Sequence, residues 1–199
     1  KLKDEITNLM KQNLNDIKTA QIAYKDKYGK YASDWNKLVH FINNGTIQEV
    51  NKIGGVPNRR LTTDERAILY GAKDNRALDY NMTELEALRL ARSSNPPADL
   101  AGFVRDTMEV SFYERTFKNE SYIERRIRMG FPKVNPDSLI YIPTTSEMYS
   151  LKTLDSLDYQ GAKVPVIQVI GIHPIEFKGK RDTLMFGSLT SPNLSGNWD

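Results

Sequence analysis

Cysteine is absent from the 199 residues. That excludes disulfides, thiolate metal sites and cysteine nucleophiles, and it leaves the redox compartment open. Histidine is almost as scarce, with two copies. His40 and His173 share no His-x-x-x-His spacing and have no third ligand beside them, so no zinc site is expected. No run of eighteen apolar residues occurs, so no segment reads as a membrane-spanning helix, and no signal-peptide pattern opens the sequence. Neither Gly-x-Gly-x-x-Gly nor Gly-x-x-x-x-Gly-Lys-Ser/Thr is present, which removes the warrant for nucleotide binding. There is no Gly-x-Ser-x-Gly elbow, although a Ser-His-Asp triad of distant residues stays open. Net charge is +3, with lysines and acids interspersed. This is too mild a balance to point to nucleic acid.

What is present describes an ordinary globular chain, 39% hydrophobic and 27% charged, long enough for one substantial core or two small ones. The rest is organised around Lys1–Tyr31. Ile6, Met10, Leu14, Ile17, Tyr24 and Tyr28 recur at helical intervals, with Ala20 and Gln21 between the last turns. One long amphipathic helix follows, ending at Gly29, a natural left-handed terminator. The periodic pattern is already running at Lys1, with no capping residue before Leu2. The native chain is therefore expected to continue upstream, with this helix as a stalk and the remainder as a head on its far end.

A second helix is expected with Ser33 as N-cap, an apolar stripe of Trp35, Leu38, Val39 and Ile42, and a stop at Asn43-Asn44-Gly45. Ile53 to Arg60 reads as a Gly/Pro/basic loop. Thr62-x-x-Glu65 and Thr83-x-x-Glu86 read as capping boxes for helices reaching Tyr70 and Ala91. From Phe103 the pattern turns to β, with Val104, Met108, Val110 and Phe112 as a half-buried strand. Tyr122–Met129 is open between helix and strand. Leu139–Pro143 and Met148–Leu151 read as short strands joined by a turn. Val164–Ile170 is the most β-prone run, its Pro165 suiting a strand start or an edge, and Thr183–Phe186 is the last strand. Helices followed by strands argue an α+β fold with a mostly antiparallel sheet. The expected segments are 1–50 (stalk and helical hairpin), 51–102 (a helical insertion) and 103–199 (the β-rich part of the head).

Two resemblances attach to these residues. Tyr24-Lys-Asp-Lys-Tyr28-Gly29-Lys30-Tyr31, followed by Leu38, resembles the helix-to-head junction of type IV pseudopilins over about twenty residues. That implies a hydrophobic membrane segment upstream of Lys1. The sequence departs from the pattern at Ala32, where that family has Pro, and in its helical insertion. Over nearly the whole chain, the Ala20-Gln-Ile-Ala-Tyr24 helix end, Val164-Pro-Val166 and the Gly196-Asn-Trp-Asp199 terminus are similar to a Bacteroidota envelope protein family with an N-terminal membrane anchor. That resemblance implies an anchor and an envelope location, and it brings no catalytic residues.

Candidate sites are few. His40 lies on or beside a helix stripe and reads as packed or partly exposed; His173 precedes Pro174 at a strand end. Asp155 and Asp158 with Glu147 are carboxylates of the kind a glycosidase or a calcium ion uses, and surface acids of the same spacing are commoner. Arg125-Arg126-x-Arg128 with Lys133, and Lys178-x-Lys180-Arg181, would suit phosphate or anionic lipid, with a solvated face as the plainer reading. Asp106-Thr-Met108, Asp137-Ser-Leu139, Asp155-Ser-Leu157 and Asp182-Thr-Leu184 repeat one pattern of acid, hydroxyl and apolar residue. Composition alone gives roughly one such match. The pattern looks like the O-glycosylation acceptor of Bacteroidota envelope proteins, making Thr107, Ser138, Ser156 and Thr183 candidate acceptors. Asp-Ser/Thr also simply marks turns and strand ends.

The expectation is a non-catalytic, membrane-tethered envelope domain working through contacts with envelope proteins, with exposed Tyr or Trp as contact residues. No catalytic, metal or cofactor residue is expected, nor a nucleic-acid partner, and oligomerisation is compatible with the reading. Lys1 and Lys3 after an anchor would favour a cytoplasmic head. The acceptor-like motifs favour a periplasmic one, which is the side chosen. The alternatives are a pilin-like filament subunit, which should leave the apolar face of the first helix free, and a glycan-binding or glycan-processing domain, which needs a pocket gathering several of Asp155, Asp158, Glu147 and His173.

Overall fold

A computed structural model describes residues 1–74 and 78–199. The fold is α+β, and the chain forms two compact units. Unit 1 combines Lys1–Ile47 with Val110–Asp199, and unit 2 is Gln48–Glu109.

Unit 1 is built on α1 (Leu2–Tyr28), which closes as its spacing predicts. Gly29 adopts φ 78° and its N–H reaches back to Lys25 O at 2.7 Å. The stalk expectation is corrected. Ile6, Met10, Leu14, Ile17 and Ala20 are all buried in the unit's main core together with Phe112, Tyr149, Val169 and Phe186. The apolar face is therefore covered from the second turn onward rather than only at its distal end. The covering layer is an antiparallel sheet, order β3-β4-β5, of β3 (Ser150–Tyr159), β4 (Ala162–Ile172) and β5 (Thr183–Gly187). A sheet with one apolar face must bury it against something, and α1 offers the matching stripe.

Gly171 shows how tight that seam is. A Cβ there would run into the Tyr149 ring and approach Met10. The β3–β4 hairpin turns through Gln160 (φ 49°) and Gly161 (φ 82°), the two positive φ values of a tight two-residue turn. Pairing runs Leu154↔Val166 and then Leu157↔Val164, so Asp155 and Ser156 bulge opposite Pro165. Pro165 donates no ladder hydrogen bond, and it lies in the central strand where the ladder is already broken. The C-terminal coil follows β5. Asn197 N–H donates to Met185 O (3.0 Å), its Nδ2 to Thr183 O (2.7 Å), and Gly196 bridges Phe186.

Beyond α1, α2 (Trp35–Asn44) is capped by Asp34, not Ser33, its carboxylate accepting from Lys37 N–H at 2.8 Å. The ambiguous segment near Tyr122 is helix α6 (Glu120–Arg128), capped by Asn119. Ahead of it, Phe112 opens α5 (Phe112–Phe117) instead of ending a strand, because Ser111 accepts from Glu114 N–H. The expected strand at Leu139 is largely replaced by α7 (Pro136–Leu139), where the Asn135 cap and Pro136 in the first turn nucleate a helix. One bridge, Tyr141↔Met148, remains of the expected strand pair.

In unit 2 both capping boxes form, at Thr62/Glu65 for α3 (Thr63–Tyr70) and at Thr83/Glu86 for α4 (Glu84–Ala91). Leu69, Met82, Ala87, Leu90, Leu100 and Phe103 make a separate small core. The unit is not purely helical as expected. β1 (Thr46–Ile53) pairs with β2 (Val104–Ser111) as a two-stranded sheet where the chain enters and leaves it. β1 went unpredicted, and β2 is exposed from Asp106 to Glu109 rather than half-buried on alternate positions.

Candidate functional site

A buried polar assembly in unit 1 centres on Asp16. This residue flanks the apolar stripe of α1, and the helical spacing that buries Ile17 carries Asp16 inward with it. Its side chain is 4% exposed and that of Arg126 6%. On the carboxylate converge Gln12 Nε2 at 2.9 Å, the Tyr122 hydroxyl at 2.7 Å and Arg126 Nη1 at 3.0 Å. Arg126 also donates from Nη1 to the Tyr122 oxygen (3.1 Å) and from Nε to Pro132 O (2.7 Å). Gln12 and Asp16 are one turn apart on α1, as Tyr122 and Arg126 are on α6, so two i,i+4 pairs meet face to face. Burial pushes the Asp16 carboxyl above its ordinary value, and the three donors oppose that rise without cancelling it. The Tyr122 hydroxyl is likewise pushed up, first by burial and then by the adjacent Asp16 charge.

Beside this network opens a cleft of about 420 Å³ between α1, α5 and α6. Lys18 and Arg125 stand in its walls with Asn15, Thr19 and Thr116, and Asp16 lies at its floor. Lys18 Nζ sits 5.4 Å from the Phe186 ring centre and 5.9 Å from that of Trp198. The Arg125 guanidinium lies 5.4 Å from the Tyr122 ring centre. A second cleft, about 260 Å³, is lined by Arg126, Asn13 and the 132–145 segment. A third, about 220 Å³, has the Tyr24, Tyr28 and Phe41 rings with Lys27, Lys37 and His40.

None of these clefts gathers the carboxylates and histidine that a glycan-processing site would need. Asp155 faces Lys30 at 3.7 Å and Asp158 faces Lys163 at 3.3 Å. Glu147 is exposed in a turn. His173 is fully buried, yet its ring is held by backbone: Ile175 N–H donates to Nδ1 at 3.0 Å, leaving the other nitrogen to donate to Lys3 O at 3.3 Å. His40 is exposed beside Asn44. Among the described residues no three His, Asp or Glu side chains lie close enough to hold a metal ion.

Thr107, Ser138, Ser156 and Thr183 are all exposed. Thr107 is on β2, Ser156 in the β3 bulge and Thr183 at the start of β5. The Ser138 hydroxyl donates to Asn135 O at 3.1 Å. The basic run near Arg125 is divided three ways, with Arg126 buried on Asp16, Arg125 in the cleft wall and Arg128 outward. Sequence reasoning noted Tyr122 and Arg126 but missed Asp16 and Gln12. The available signal was a pair of polar residues spaced i,i+4 along the apolar face of a long helix.

No protein-family model, no curated protein and no solved structure matches the chain.

Proposed function

We infer that this chain is a non-catalytic domain of a bacterial cell envelope. It is tethered to the membrane by a segment ahead of Lys1, with its head on the periplasmic side, and works by contact with other envelope proteins. One observation carries the non-catalytic part. Asp16, Glu65, Glu86, Arg126 and His173, the buried charged and imidazole side chains, are each held by hydrogen bonds within their own unit. Asp16 combines a raised carboxyl with a place in a cleft, but its oxygens accept from Gln12, Tyr122 and Arg126, whereas a catalytic group needs a function left accessible to substrate. The dispersal of Asp155, Asp158, Glu147 and His173 argues the same way against glycan processing. Enclosure of the α1 face by its own unit favours a tethered domain over a filament subunit, which would keep that face for its neighbours. Tyr28, 52% exposed, is the contact candidate, an amphipathic ring of the kind enriched at interfaces.

The test is the intact mass of the full-length protein purified from the membrane fraction of its host. Glycan mass that disappears when Thr107, Ser138, Ser156 and Thr183 are changed to Ala is the expected result. An unmodified protein recovered in the soluble fraction overturns both the tether and the envelope location.

A further inference from the structure

The geometry points to the cleft between α1, α5 and α6 as a binding site for a small polyhydroxylated organic anion, its carboxylate or phosphate held between Lys18 and Arg125. Both cations line the cleft, and neither forms an ion pair with a carboxylate among the described residues. Each is instead placed over aromatic rings, Lys18 over Phe186 and Trp198 and Arg125 over Tyr122. Such contacts orient a cation without neutralising it. The acid at the floor interacts with Arg126 more strongly than with Arg125. Asp16 already accepts from Gln12, Tyr122 and Arg126, and Arg126 balances its charge. With Asp16 and Arg126 offsetting one another, Lys18 and Arg125 leave the cleft net positive, which suits an anion rather than a neutral or cationic ligand.

The remaining wall sets the second half of the ligand. Asn15, Thr19 and Thr116 are short hydrogen-bonding side chains, and the Thr19 hydroxyl uses its proton on Asn15 O at 3.0 Å, which leaves its lone pairs to accept. Hydroxyls on a ligand are the complement of that surface. A cleft of about 420 Å³ is within the usual range for small-molecule sites and accommodates one sugar-sized unit. A sugar acid and a sugar phosphate share this chemistry. The site is independent of the membrane tether, so failure of either reading leaves the other standing.

Ligand-observed NMR and calorimetry on the full chain at fixed ionic strength, with glucuronate, glucose 6-phosphate and glucose as probes, test the site. At least one anion is expected to bind with Kd of about 1 mM or tighter, and glucose about tenfold more weakly or worse. Preference between the two anions identifies carboxylate or phosphate as the recognised group. Lys18→Gln and Arg125→Gln should each weaken binding about tenfold, Lys18→Arg should retain it, and Arg128→Gln, outside the cleft, should leave it unchanged. A thermal melt of each variant separates lost binding from lost folding. The proposal is overturned if neither anion binds below about 10 mM, if glucose binds as well as the anions, or if the folded Lys18→Gln/Arg125→Gln double variant binds normally.

Discussion

Two buried polar side chains on α1 hold unit 1 together by different means. Gln21, fully buried, clamps the turn after Gly29 with both ends of its amide. Its Nε2 donates to Ala32 O at 3.0 Å, and Ala32 N–H donates to its Oε1 at 2.8 Å. A proline at position 32 would lack that N–H and break the clamp. Gln21→Leu strands both backbone groups in the core. It should lower unfolding free energy by about 2 kcal/mol with an unchanged denaturant slope. Asp16 is the charged counterpart. Asp16→Asn turns one of two accepting oxygens into an N–H2 donor that meets either the donor Gln12 or the donors Tyr122 and Arg126, and chemical denaturation should show a loss of about 2 kcal/mol. The pH dependence of this site has a definite sign. Because burial raises the folded pKa above the ordinary 3.8, the folded state holds the Asp16 proton more tightly than the unfolded state. Its contribution is therefore largest below 3.8 and declines as pH rises through the raised folded value.

At the scale of elements, the ends and turns were the most readable parts. Thr62 and Thr83 each accept from the N–H three residues on, while Glu65 and Glu86 bond back to the cap amides. Thr62→Ala or Thr83→Ala should each cost about 1 kcal/mol in unit 2, read as a shifted denaturation midpoint. These signals are legible because every partner lies within one helical turn. The Asp34 cap, displaced by one residue from Ser33, shows their resolution: either side chain can accept, and the helix register decides between them. The strands were harder. Met148–Leu151 was read as a strand, and only its end enters β3. The remainder is a single bridge because Pro136 starts a helical turn just upstream. Gly171 carries no local signal at all, since its constraint comes from Tyr149 and Met10, distant in sequence. Gly171→Ala should destabilise unit 1, monitored by loss of hydrogen-exchange protection on β4 and α1.

At the scale of the molecule, the two units carry different electrostatics. In unit 2 the Arg59 guanidinium bonds both Glu65 oxygens at 2.7 Å and Asp99 at 2.7 and 3.0 Å. Arg59 holds both carboxyls below their ordinary values. Burial opposes ionisation of Glu86, yet the Thr83 amide and the Tyr70 and Tyr80 hydroxyls hold it low as well. Tyr70, donating to Glu86, is pushed up to about 12. Depressed carboxyls stabilise the folded state above the unfolded values, 4.5 for glutamate and 3.8 for aspartate. That stability is lost as pH falls from there through the lower folded values. Acidification below about 4.5 should therefore open unit 2 before the Asp16 region of unit 1. Residue-resolved hydrogen exchange across a pH series checks the order, and Arg59→Ala should flatten the unit 2 dependence.

The sequence by itself determined the α+β class, the extent of α1, both capping boxes and the strands around Val166 and Leu184, because each depends on periodicity or on partners a few residues apart. Only the tertiary structure decided that α1 is core rather than stalk, since burial of its face depends on a sheet that begins more than a hundred residues later. The same holds for Asp16 and Arg126, which are 110 positions apart. Neither residue type predicts a buried ion pair. What joins them is the register at which α6 meets α1, and with that register comes the cleft that Lys18 and Arg125 help to line.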